Sequence, residues 1–96
     1  MLRMRWLNLT LQTMNKGVGM RATKELFINV PDWVKTINIS TDGLAYGFNC
    51  TKEFCYFNDR GYWDFSESFT GRVMSIYLGS GFEFTGKENS ILEREL

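Results

Sequence analysis

Two cysteines, Cys50 and Cys55, and three carboxylates, Asp59, Asp64 and Glu67, are the residues nearest to chemistry in a chain that has no histidine. A structural zinc site takes four Cys or His ligands, and two cysteines alone fall short of it. A redox pair sits as C-x-x-C at a helix start, whereas these two are spaced C-x4-C in a segment that alternates like strands. Without imidazole, the Ser-His-Asp and Cys-His schemes and most neutral-pH general bases drop out. Paired carboxylates can hydrolyse glycosides, yet Asp59, Asp64 and Glu67 fall around a turn and read as solvated charges. "GFEFTGKE", from Gly81 to Glu88, matches G-x4-G-K but places Glu88 where a phosphate-binding loop needs Ser or Thr for magnesium. "NDRGYWD" lacks the acidic spacing of a calcium loop. The expectation is a non-enzymatic protein without metal or cofactor.

Ninety-six residues make one domain, 1–96, with 44% hydrophobic and 16% aromatic content, enough to offset ordering entropy by burial. Eleven basic and eleven acidic residues cancel, so no overall field steers the chain to nucleic acid or membrane. The charges are unevenly placed. Residues 1–24 carry Arg3, Arg5, Lys16, Arg21 and Lys24 and no acid; the remainder carries six bases against all eleven acids. No apolar run is long enough to span a bilayer. The opening segment, broken by Asn8, Thr10 and Gln12, reads as part of the fold and not as a signal peptide. A reducing, cytoplasmic setting is the expectation, and the N-x-[ST] triplets at Asn8, Asn38 and Asn49 are expected to stay unglycosylated.

The elements that must position these residues are mostly strands. "LNLTLQ" alternates Leu7, Leu9 and Leu11 with polar neighbours. "TKEL" is the candidate start of a short helix before Pro31. "KTINISTDGLAYGFNC" carries Asp42-Gly43 between two alternating runs, a hairpin signal. A two-residue loop there pairs Thr41 with Leu44, Ile39 with Tyr46, Ile37 with Phe48 and Lys35 with Cys50. "YFNDRGYW" fits a three-residue loop ending in Gly61, which opposes Phe57 to Trp63 and Cys55 to Phe65. "MSIYLGSGFEF" opposes Leu78 to Phe82 and Ile76 to Phe84. The tail "NSILEREL" has capping-box spacing from Ser90 to Glu93 and reads as a short helix. The fold class is all-β or β-dominated α+β, an antiparallel meander of five to seven strands forming a small barrel or curved sheet.

A four-residue loop, Thr51 to Phe54, sets Cys50 opposite Cys55 and Phe48 opposite Phe57. One row then reads Ile37, Phe48, Phe57, Trp63 and the next Lys35, Cys50, Cys55, Phe65. Both cysteines point to the apolar face as small hydrophobes. A Cys50–Cys55 disulfide is geometrically open; buried thiols suit a reducing setting better.

The opposite face carries Thr36, Asn38, Ser40, Ala45, Gly47 and Asn49, with Phe54, Tyr56, Tyr62, Asp64 and Ser66 beside them. Either it is an exposed trough flanked by tyrosines or another element covers it. Tyrosine offers contact area at little entropic cost, so the partner-binding candidates are Phe54, Tyr56 and Tyr62, with Asp59, Arg60 and Asp64 setting charge complementarity. The expected partner is another protein, and the composition resembles small inhibitors or accessory factors of phages and mobile elements. The alternative is a small β-barrel that stacks single-stranded nucleic acid on its aromatics with the basic N-terminal segment on the phosphates; the acidic rim disfavours it. An unprotected edge strand leaves homodimer pairing open.

Overall fold

The computed structural model describes residues 20–95. It is strand-dominated and antiparallel: β1 (Thr36–Ile39), β2 (Ala45–Phe48), β3 (Cys55–Phe57), β4 (Trp63–Phe65), β5 (Ser75–Gly79) and β6 (Ile91–Glu93), with short 3-10 turns between β2 and β3 and between β5 and β6. Four strands form one sheet in the order β5-β2-β1-β6, and β3 pairs with β4 in a separate two-stranded sheet. Both hairpins are sequential. β5 and β6 then come in from later in the chain to flank the first of them.

β1 lies at the centre of the larger sheet and is buried on both faces. One face turns Ile37, Ile39 and Ala45 toward Val34, Leu26, Phe27 and Phe82 to make the main core. Leu26 and Phe27 come from the 3-10 helix Lys24–Asn29, the short helix expected from "TKEL". Val30-Pro31 stops that helix because proline disfavours helical backbone in the residue before it. Arg94 closes this layer. Its Nε donates to the Val34 carbonyl at 2.7 Å, its Nη2 to the Pro31 carbonyl at 3.0 Å, and its guanidinium lies 4.9 Å from the Phe27 ring centroid.

The other face of the sheet carries Thr36, Asn38, Tyr46 and Phe48, and the β3–β4 hairpin packs upon it. Phe48 and Phe65 stack at 4.2 Å between centroids, Phe57 stacks on Phe84, and the Trp63 indole donates to Ser90 Oγ at 2.9 Å. Of the two readings left open for the polar set, the covered one holds for Thr36, Asn38 and Ser40, which are buried in a second core.

Three expectations are corrected. The first hairpin is shifted by one residue, pairing Ile37 with Gly47 and Ile39 with Ala45. Ser40 pairs with Leu44 across a three-residue loop, and Gly43 takes φ of 84°. A slip of one exchanges faces, so Ala45 and Gly47 join the isoleucines in the main core, and the expected row of Ile37, Phe48, Phe57 and Trp63 breaks up: Ile37 faces the main core, Phe48 stays in the four-stranded sheet, and Phe57 pairs with Trp63 in the separate one. Next, β5 pairs with β2, with Ile76 opposite Gly47, and not with the segment at Phe82. Phe82 instead donates to Gly43 O and forms a parallel bridge with Met20. Finally, the tail is the strand β6 beside β1; Ser90 Oγ donates to Lys87 O, with no side-chain cap bond on the short 3-10 turn before it. The proposed strand at Leu7–Leu11 and the basic Arg3 and Arg5 lie outside the described residues.

Candidate functional site

The second hairpin has the register its turn chemistry implies: Cys55 opposite Phe65, Tyr56 opposite Asp64, Phe57 opposite Trp63. Alternation along β3 and β4 sends Phe57, Trp63 and Phe65 to the sheet and Tyr56, Tyr62 and Asp64 outward. The turn between them is tightly held. Asn58 Oδ1 accepts from the Arg60 and Tyr62 amides, and Gly61, with φ of 90°, ends the loop. The Gly61 carbonyl in turn accepts from the Thr41 amide at 2.8 Å and from Thr41 Oγ1 at 3.1 Å. One hairpin turn is thus fastened to the other, and the outward tyrosines stand on a braced element.

Five of the six expected contact residues come together: Tyr56, Asp59, Arg60, Tyr62 and Asp64 line one open depression of about 460 Å³ at the hairpin tip. Tyr56 is 46% and Tyr62 38% exposed, so the outer face of this hairpin is uncovered among the described residues. Arg60 Nη1 reaches the Tyr62 hydroxyl at 3.5 Å. Phe54 stands apart. It is half-buried at the far end of β3, tilted against Phe69 with centroids 5.4 Å apart, and belongs to the packing there.

Sequence reasoning missed a second concavity. A two-stranded hairpin is too narrow to cover a four-stranded face, and a step remains on the β2–β5 side. There a cleft of about 330 Å³ runs between Tyr46 and Phe48 on the sheet and Tyr62 to Phe65 along β4, with Asp42 and Ser75 at its margin. Tyr46 leans on the exposed ring of Tyr77, 5.4 Å away. Tyr62 and Asp64 line both the cleft and the tip depression, so the two form one surface. With the first hairpin in its two-residue register, Tyr46 and Phe48 sit on Ile37's face, which hides the cleft. The longer Thr41-Asp42-Gly43 loop is the signal that would have revealed it.

The cysteines meet as expected, though across a turn and not a shared sheet. Cys50 at the end of β2 and Cys55 at the start of β3 flank the 3-10 turn Lys52–Phe54, and their sulfurs lie 3.4 Å apart as free thiols. Thr36 Oγ1 donates to the Cys50 carbonyl and lies 3.8 Å from Cys55 Sγ. Burial pushes the Cys50 thiol up to about 12, and the neighbouring Cys55 adds to the rise. Burial raises the Cys55 thiol as well, against opposing hydrogen bonds from Cys50 and Thr36. Thiols held protonated are poor nucleophiles and poor metal ligands. Among the described residues, no three His, Cys, Asp or Glu side chains gather to hold a metal ion, and no helix is long and apolar enough to cross a membrane.

Comparison with protein-family models, curated proteins and solved structures finds no match to this chain.

Proposed function

We propose that the protein is a non-enzymatic binding module that acts by occupying the surface of another protein with the outer face of the β3–β4 hairpin. The observation that carries this reading is the pair of exposed tyrosines, Tyr56 and Tyr62, set among Asp59, Arg60 and Asp64 on an element braced to the sheet. Tyrosines held in place lose little entropy on binding and bury a large area each. Two of the neighbours in strand and turn are acids and one is a base, a rim that favours a basic protein surface over a phosphate backbone. In this reading the protein works as an inhibitor or accessory factor, by blocking or escorting its partner.

The test is affinity capture from lysate of the source cell, with and without nuclease, beside the Tyr56→Ala/Tyr62→Ala variant. A stoichiometric, nuclease-resistant protein that the variant loses, at an unchanged melting temperature, supports the reading. Recovery solely through nuclease-sensitive material moves the function to nucleic acid. A variant that unfolds makes the tyrosines part of the packing and removes them as a contact surface.

A further inference from the structure

The cleft beside β4 has a chemistry of its own. Its walls are aromatic, from Tyr46, Phe48, Trp63 and Phe65, and its charged lining residues are both acidic, Asp42 and Asp64. Each carboxylate is fixed by a backbone donor: Asp42 Oδ1 accepts from the Leu44 amide at 3.2 Å and Asp64 Oδ1 from the Phe65 amide at 2.8 Å. Among the described residues neither forms an ion pair. Among the described residues, two oriented negative charges thus border an aromatic surface with no cation ion-paired to either.

The β4 edge narrows what can enter. Asn58 N donates to Tyr62 O and Ser66 N to Phe54 O. In an antiparallel ladder these groups alternate, so the Trp63 and Phe65 backbone groups turn to the free edge, the side that lines the cleft. A free edge invites strand addition, but the Asp64 carboxylate already occupies the Phe65 N–H and blunts it. What the cleft offers is a socket for a side chain. Its volume of about 330 Å³ lies at the small end of the range for ligand sites, roughly 300–1,000 Å³.

We infer that this cleft is a socket for a lysine or arginine side chain presented by the partner protein, with the apolar stem against Tyr46 and Phe65 and the cationic head between Asp42 and Asp64. A long basic side chain is the occupant that satisfies both features. Its methylenes cover aromatic surface while its head meets ring faces and carboxylates, a combination that neither an acidic nor a purely apolar group matches. The socket rests on the protein-binding reading for the identity of its donor. It extends that reading by giving the tyrosine surface a basic anchor point next to Tyr62.

The probes are the capped amino acids N-acetyl-lysine methylamide and N-acetyl-arginine methylamide, titrated into the full ¹⁵N-labelled chain and followed by NMR. N-acetyl-norleucine methylamide is the neutral control. Saturable shifts are expected at the Trp63 indole N–H and the Leu44, Tyr46 and Phe65 amides, with the neutral probe binding about tenfold more weakly, or about 1.4 kcal/mol. Asp42→Asn/Asp64→Asn keeps an oxygen for both backbone donors, so the fold persists while the preference for the cationic probes disappears. Equal binding of norleucine, a preference that survives in the asparagine variant, or no saturable shift at the cleft overturns the socket. Because the probes are small molecules, this test can fail while the Tyr56/Tyr62 capture succeeds, and the reverse.

Discussion

Gly47→Ala reads the register of the central hairpin directly, because the two candidate registers give it opposite signs. With a two-residue turn at Asp42-Gly43, Gly47 lies on the outer face. Alanine there would be neutral or stabilising by about 0.4–1 kcal/mol through the unfolded chain. In the observed register Gly47 lies on the core face opposite Ile37. A Cβ built at this glycine falls 2.8 Å from Val34 Cγ1, 3.2 Å from Ile76 Cγ2 and 3.3 Å from Val34 Cγ2. Ordinary carbon contacts begin near 3.5 Å, so something must move by more than half an ångström. Val34 is fully buried, and a β-branched side chain has few other rotamers to adopt. Overpacking of this kind costs about 1–3 kcal/mol. Set against the unfolded-state gain, the net loss is about 0.5–2 kcal/mol, and each kcal/mol is about 4–8 °C in melting temperature for a domain of this size. Thermal and urea unfolding by circular dichroism measure it, with Val34→Ala and the double variant completing the cycle. The clash requires Gly47→Ala to cost less in the Val34→Ala background than in the wild type. A single variant as stable as the wild type, or more so, would refute the register and with it the placement of Tyr46 and Phe48 in the cleft.

Other outcomes follow from single contacts. Ser90→Ala removes the acceptor of the half-buried Trp63 indole N–H; the cost is about 1–3 kcal/mol by urea denaturation, and no change would mean the indole finds water instead. Arg94→Lys keeps the charge but cannot reproduce the two bonds to the Val34 and Pro31 carbonyls; a loss of about 1–2 kcal/mol is expected. Because the folded Cys50 thiol has its pKa raised to about 12 from an ordinary value of 9.0, the unfolded chain releases its proton first. The stabilising contribution is complete below about pH 9 and is lost progressively as pH rises toward 12. The stability difference between wild type and Cys50→Ala should therefore shrink across that window, and a constant difference would count against a buried thiol. Thr41→Val deletes one of the two donors to the Gly61 carbonyl and should speed amide exchange at Arg60 and Gly61 without changing exchange at Ile37.

How much of this was legible follows from the turns. Thr41-Asp42-Gly43 and Asp59-Arg60-Gly61 are built alike: three residues ending in a glycine with φ of 84° and 90° respectively. The sequence announces both turns, yet only the second yields its register. Asp-Gly also fits a two-residue type I′ loop, which needs positive φ at both central residues. In this protein no described non-glycine residue takes positive φ; the longer loop confines the left-handed position to Gly43 and lets the Asp42 carboxylate bind the Leu44 amide. Alternation could not arbitrate, because it identifies register where one face is wet and one is dry, and β1 is buried on both.

The same burial explains why half of the candidate surface was visible and half was not. Thr36, Asn38 and Ser40 look like a solvent face by type. They are roofed by a hairpin whose docking depends on Phe48 stacking on Phe65 and Trp63 reaching Ser90, contacts between residues 17 and 27 positions apart. No local pattern encodes such pairs. The tip of that hairpin is different: Tyr56, Asp59, Arg60, Tyr62 and Asp64 are placed by one turn and one short ladder, so a correct local register suffices to bring them together. The cleft needed both registers at once, since its walls come from β2 and β4. Surfaces made within one hairpin can be read from sequence, whereas surfaces made between two require the packing that holds them, and here the side-chain socket is of the second kind.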